Sequence, residues 1–227
     1  MSSVLASTTA ATPSTDLDPR PRRWTREEFY RMAELGWFHG ERAELIEGEI
    51  MVLSPQGPSH SYLTDHVAEL LRNSGWTGVW VRMQLPINFG PYSDPEPDVS
   101  VVMGSRADYR AAHPTSALLI VEVSDTTLIY DRGRKASLYA MRGVADYWIV
   151  NVNDDQLEIH RDPGADLAQP FGYGYASLTV CHRGEMVTPQ AAPHLSFSVA
   201  DLLGRDCPPR AVPVGSRPMA FTRELER

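Results

Sequence analysis

The sequence predicts an α/β protein: a central mixed sheet flanked by helices, with extra β-hairpins. Three observations carry that prediction. Residues 117–123 (Ala-Leu-Leu-Ile-Val-Glu-Val) are an almost wholly aliphatic run with several β-branched members, which is how a strand buried on both faces reads. A helical segment separates that run from a second apolar strand at 145–150, and strand–helix–strand at this spacing makes part of the sheet parallel. Residues 42–53 read as two strands about a tight turn at Glu47-Gly48, a hairpin signal.

The elements follow in order. Thr25 and Glu28 have capping-box spacing, so a helix starts there and runs to about Leu35, with Gly36 as its stop. The hairpin comes next, then a Pro/Gly loop over 54–58. Leu63, Val67, Leu70 and Leu71 recur at helical spacing, predicting a helix over 59–73 with His60 in its first turn. A strand is expected over 79–87 and a turn-rich stretch over 89–97. Asp98 then opens a strand to Met103, and 106–112 reads as a short helix. After the 117–123 strand, a helix is expected over 131–142, stopped by Gly143. Strands follow at 145–150 and 156–160, a loop at 162–174, and short strands at 175–181, 185–188 and 195–199.

The chain of 227 residues is long enough for one full core. The expected division is a disordered lead-in over 1–22, a single domain over 23–203, and a disordered, proline- and arginine-rich tail over 204–227. The formal net charge of −8 argues against a general polyanion binder. It leaves room for an acidic site that meets a phosphodiester through a divalent metal. Arg20, Arg22, Arg23 and Arg26 form a local basic cluster, either a solvated segment or a phosphate contact. Two cysteines, Cys181 and Cys207, make neither a disulfide framework nor a metal pattern. No apolar run approaches the roughly 18–20 residues of a membrane span. A cytoplasmic location is therefore expected.

The chemistry centres on Glu122. A lone carboxylate in a dry strand costs several kcal/mol or is forced to protonate unless a cation meets it. Asp98 opens the strand expected beside it, and Lys135 sits one turn into the following helix. Two carboxylates on adjacent strands suit a hard divalent ion such as Mg²⁺ or Mn²⁺, and an ammonium beside them can stabilise a developing oxyanion. Each residue also has a plainer reading: Asp98 as a turn aspartate, Glu122 as a strand-end acid reaching solvent, Lys135 as a solvated helix lysine paired with Asp131. No spacing supports a zinc site, a P-loop or a dinucleotide-binding turn. The tryptophans and Tyr139 read as core or interface filling.

The succession Pro97-Asp98-Val99, Val121-Glu122-Val123-Ser124, Tyr130-Asp131-Arg132-Gly133-Arg134-Lys135 and Asp146-Tyr147-Trp148-Ile149-Val150 resembles the Uma2 family of restriction-endonuclease-like proteins, within the PD-(D/E)xK nuclease superfamily. Glu44-Leu45-Ile46-Glu47-Gly48-Glu49 and Ser54-Pro55 followed by His60 resemble it too. The resemblance implies a restriction-endonuclease-like fold and a metal-dependent site for DNA hydrolysis, with Mg²⁺ or Mn²⁺ held by Asp98 and Glu122. Ser124 stands where the superfamily motif carries lysine, and Lys135 on the next helix takes that role. Glu44 matches an early acid that could join the metal's surroundings, or is an exposed strand residue. His60 is a candidate general base, or a helix histidine with a structural hydrogen bond. DNA is the expected substrate, a homodimer is plausible by analogy, and no membrane is involved. A nuclease-fold module that binds nucleic acid or protein without cleaving is the alternative, and hydrolysis of another phosphate ester a third.

Overall fold

The computed structural model describes residues 20–204 of the chain. Most of the expected lead-in and all but the first residue of the expected tail lie outside the described residues. Helix α1 (Arg26–Glu34) starts on the expected capping box: the Thr25 hydroxyl accepts from the Glu28 N–H, and the Glu28 carboxylate accepts from the Thr25 N–H at 2.9 Å. Strands β1 (Arg42–Ile46) and β2 (Glu49–Leu53) pair antiparallel about Glu47-Gly48. Both turn residues have positive φ (49° and 85°), as a type I′ hairpin turn requires. Glycine is also needed at 48 for space, since a Cβ there would lie 2.6 Å from the Arg23 Cβ.

Helix α2 (Pro58–Asn73) begins with proline in its first turn, where the missing N–H costs nothing. The central sheet has six strands in the order β3 (Val79–Met83), β4 (Val99–Met103), β5 (Leu119–Ser124), β6 (Asp146–Asn151), β7 (Gln156–Ala165) and β8 (Tyr173–His182). Only β5 and β6 pair in parallel; the other neighbours are antiparallel. This is the expected mixed sheet with its βαβ crossover. Two short strands, β9 (Met186–Val187) and β10 (Phe197–Ser198), form a separate ladder that leads into helix α5 (Val199–Leu202).

Strand alternation sorts β5 between two cores. Leu119, Val121 and Val123 pack with Leu63, Val67 and Leu71 of α2 on one face. Ile120 packs on the other face with Leu138, Tyr139, Tyr147 and Ile149. Each fully buried aliphatic side chain contributes about 1.5–3 kcal/mol. Glu122 shares the parity of Ile120, so it is clamped by a rigid strand on the second face.

Three expectations change. The strand expected over 79–87 stops at Met83, because Gln84 turns into the left-handed region (φ 50°) and donates its N–H to the Pro97 and Asp98 carbonyls. The loop expected over 162–174 is confined to 166–172, with strand at 162–165 and 173–174. The β7–β8 pairing continues through Pro163↔Tyr175 and Gly164↔Gly174, and a left-handed Asp162 (φ 58°) absorbs the irregularity. The helix expected over 131–142 begins earlier, as one turn α3 (Leu128–Tyr130). It then widens to a π-helical turn over Asp131–Lys135 before resuming as α4 (Ala136–Met141). Among the described residues no helix is long and apolar enough to cross a membrane.

Candidate active site

The five residues singled out from sequence converge on one cleft with about 50 Å³ of open space, at the end of the sheet where β4 begins and β5 ends. Glu44 arrives from β1, His60 from the first turn of α2, Asp98 from the residue before β4, Glu122 from β5 and Lys135 from the π turn. All are buried; Glu44 is 0% and Glu122 1% exposed. The exposed-residue readings of Glu44, Glu122 and Lys135 therefore do not hold.

Glu122 is the hub. Its Oε1 accepts from Lys135 Nζ at 3.0 Å and from the Tyr139 hydroxyl at 2.7 Å. Its Oε2 accepts from the Asp98 backbone N–H at 3.2 Å. Reciprocally, Asp98 Oδ2 accepts from the Val123 N–H at 2.9 Å and faces His60 Nε2 at 3.2 Å. The two acids are thus stitched together through each other's strand. Lys135 Nζ also stands 3.6 Å from Glu44 Oε1, which takes the Glu96 N–H at 3.2 Å.

Four buried carboxylates (Glu44, Asp98, Glu122, Asp131) surround one ammonium and one imidazole. Burial pushes the Glu122 carboxyl well above its usual range, with Lys135 opposing and the other acids adding to the rise. Burial likewise raises Glu44 and Asp131, again against Lys135. Burial works against the Lys135 ammonium, but the four carboxylates, Glu122 foremost, outweigh it and hold its pKa well above normal. At Asp98 burial is overcome by His60, and that carboxyl stays below its usual range. The same contact, against burial, raises His60. The cluster is short of positive charge.

Sequence reading missed several contributors. Gln56 and Gln84 each bring an amide nitrogen to 3.4 Å from Asp98 Oδ1, and Gln84 Nε2 donates to Gln56 Oε1 at 2.9 Å. Nothing local in the sequence marks them. Asp131 had been paired with Lys135 on a solvated helix face. It is instead buried and bonded by Thr127 Oγ1 at 2.6 Å and by the Ser124 hydroxyl. Ser124, in the motif's lysine position, therefore fastens the segment that carries the lysine. The spacing of Asp131, Lys135 and Tyr139, four residues apart, was the available signal for one inward face.

The whole Asp131-Arg132-Gly133-Arg134-Lys135 turn is tied down. Arg132 reaches Glu158 through Nε at 2.8 Å and Nη2 at 2.6 Å, and Arg134 reaches Glu49 at 2.9 Å. Single π turns are common at functional sites, and here the wider turn directs Asp131 and Lys135 inward together. Glu158 is also bonded by Asn151 and Gln156. Burial disfavours its carboxylate, but these hydrogen bonds, with His160, outweigh that and depress its pKa. A depressed acid stabilises the fold above its unfolded pKa, about 4.3, and that share is lost as pH falls through the folded value. Glu158→Gln is therefore expected to cost about 1–3 kcal/mol at pH 7, with the gap to wild type closing on acidification; urea midpoints at several pH values check this.

The basic cluster at the start of α1 is largely engaged in ion pairs: Arg22 with Glu28, Arg23 with Glu47 at 2.7 Å, and Arg26 with Asp94 at 3.8 Å. That supports structure over phosphate contact.

The donors fit a hard divalent cation. All are carboxylate oxygens; Glu44 Oε2 is buried without a hydrogen-bond partner, and Asp98 Oδ1 has only the two long amide contacts. Among the described residues no three acids, histidines or cysteines stand as a ready-made cage. Mg²⁺ does not need one, since it keeps several waters and takes one or two carboxylates.

A search of curated proteins finds no match. A crystal structure described as "a putative nuclease belonging to DUF820", from Anabaena variabilis, superposes with a TM-score of 0.51 at 18% identity. The match covers 71% of this chain and 89% of that one, and at such identity the likeness is one of fold. The family model for Uma2, "Putative restriction endonuclease", matches residues 26–200, nearly all of the described domain and every acid of the cleft. The chain belongs to the Uma2 family.

Proposed function

We propose that this protein is a Mg²⁺- or Mn²⁺-dependent endonuclease that hydrolyses DNA phosphodiester bonds at the Asp98/Glu122/Lys135 cleft. Membership of a family described as "Putative restriction endonuclease" supports the nuclease class. The observation that carries the site is the four-to-one excess of buried carboxylate over ammonium, joined to an unpartnered Glu44 oxygen. Asp98 and Glu122 would hold the ion, with Glu44 at its margin. A divalent ion there lowers the pKa of bound water and offsets charge on the phosphate.

The chain's own groups have distinct tasks. Val123 N–H and His60 fix one oxygen of Asp98 and leave the other turned toward the cleft's amides. The contact of His60 with Asp98 Oδ2 favours that orienting role. Lys135 stays charged and can stabilise the oxyanion formed as water attacks phosphorus and the ester oxygen departs. Tyr139 and the π turn hold that ammonium and Glu122 in register.

The test is incubation of plasmid and single-stranded DNA with protein in Mg²⁺, Mn²⁺ or EDTA, beside an Asp98→Ala/Glu122→Ala variant. Metal-dependent cleavage by wild type alone is expected. DNA left equally intact by both in every metal contradicts the proposal and favours the non-cleaving module.

A further inference from the structure

Beside the acidic cleft lies a second, wider one of about 380 Å³ between α1 and the turn that follows it. Arg42 and Glu96 line both, so the two clefts share a wall. Aromatic rings form the other side. Phe29 meets Phe38 with ring centres 5.2 Å apart and Tyr30 at 6.0 Å. Tyr30 is held by its hydroxyl, which donates to the buried Asp94 at 2.5 Å, and the His39 ring meets the Gly36 carbonyl at 3.1 Å. The rings are therefore fixed before any ligand arrives. Trp37, next in sequence to the lining residues Gly36 and Phe38, is 65% exposed, so of its expected core or interface roles the core one does not hold.

Phe29 belongs to the buried core, whereas Tyr30, Phe38 and His39 keep ring surface on the cleft. The Tyr30 hydroxyl is used for locking and Arg26 lies 6.0 Å from the centre of its ring, so the ring surface left to a ligand is that of Tyr30, Phe38 and His39 on the cleft side. The shared wall carries one cation, Arg42, beside the acid Glu96. Arg42 meets Glu96 at 3.7 Å, beyond hydrogen-bonding distance, and is about a third exposed. Glu41 also lines the cleft, so a long anionic ligand is not favoured along its whole length.

We infer that this aromatic cleft is a nucleobase subsite, taking the base of an unpaired nucleotide next to the phosphate held in the acidic cleft. The inference rests on the nuclease reading and narrows its substrate to single-stranded, frayed or distorted DNA. Fixed aromatic faces with an arginine beside them suit base stacking without sequence preference. Bases within an intact duplex already stack on each other and cannot present a face to the cleft without being extruded. Arg42, on the wall the two clefts share, is the cation available to the intervening backbone phosphate.

The test is binding, measured in EDTA so that no cleavage is needed. Short fluorescent oligonucleotides, single-stranded and duplex, are titrated with wild type, His39→Ala and Phe38→Ala, with thermal melts confirming that each variant folds. His39 lines the cleft and is exposed, so its variant stays informative if Phe38→Ala melts early. Single-stranded DNA is expected to bind at least about tenfold more tightly than duplex. Each variant is expected to lose about tenfold in single-stranded affinity, the scale of one base stack. A walk of one abasic position along the strand is expected to weaken binding sharply at one or two neighbouring positions. Equal binding of single-stranded and duplex DNA, a flat abasic walk, or unchanged affinity in His39→Ala overturns the subsite. If the walk gives a sharp position but DNA is cut in no metal, the subsite stands and the nuclease reading falls. If DNA is cut but the walk is flat, the reverse holds.

Discussion

Lys135→Met is expected to destabilise the protein by about 3–5 kcal/mol at neutral pH, the cost of leaving buried charge without its partner. The ammonium is the counter-ion of both Glu122 at 3.0 Å and Glu44 at 3.6 Å, and all three side chains are buried. The pH dependence has a definite sign. Without Lys135, the two carboxyls already raised by burial rise further. An acid whose folded pKa lies above its unfolded one stabilises the fold at low pH and loses that contribution as pH rises through the folded value. The variant should therefore be closer to wild type at pH 5 than at pH 8. Denaturant midpoints at both values check it, and a deficit that is small or independent of pH would mean that Lys135 is not the neutralising charge.

Asp98→Asn should show the opposite balance: little change in stability and a large loss of function. Its Oδ2 accepts from the Val123 N–H and faces His60 Nε2, and an amide oxygen can serve both, because neutral His60 still donates from Nε2. Its Oδ1 lies among the Gln56 and Gln84 amides, which can turn to meet an NH₂ group. The fold should keep its stability within about 1 kcal/mol, since no buried group is left bare. Cleavage should fall at least about 10²-fold, the usual effect of removing one group that stabilises transition-state charge. Melts and cleavage rates on the same preparation separate the two effects. A variant that melts with wild type yet cuts as fast removes Asp98 from the site.

The elements legible in the sequence were those whose signals are local. Thr25 and Glu28 announce α1 because a capping box lies within one turn. Glu47-Gly48 announces the first hairpin because only certain residues tolerate two positive φ values in succession. Glu122 announced the site because an acid in an aliphatic strand demands a partner. What escaped was set by tertiary contact. Gln84 ends β3 and reaches Asp98 only because of a left-handed backbone, which costs about 1–2 kcal/mol and is recovered by bonds to a distant segment. The π turn depends on partners as far away as Glu49 and Glu158. Pro163 and Gly164 read as loop because they punctuate most strands, yet here they lie where β7 runs on beside β8 at the sheet's edge.

Glu122 and Asp98 each accept a backbone N–H from the other's segment, and the acids of the cleft outnumber its cations. Calorimetric titration of the metal-free protein with Mn²⁺ tests that claim most directly, because it reads the ion rather than the reaction. Wild type should bind Mn²⁺ and gain thermal stability with it, as any ligand of the native state confers. Asp98→Asn should lose both the heat and the shift in melting temperature. Identical titrations for the two proteins, or no binding by either, would contradict a metal-holding Asp98/Glu122 pair.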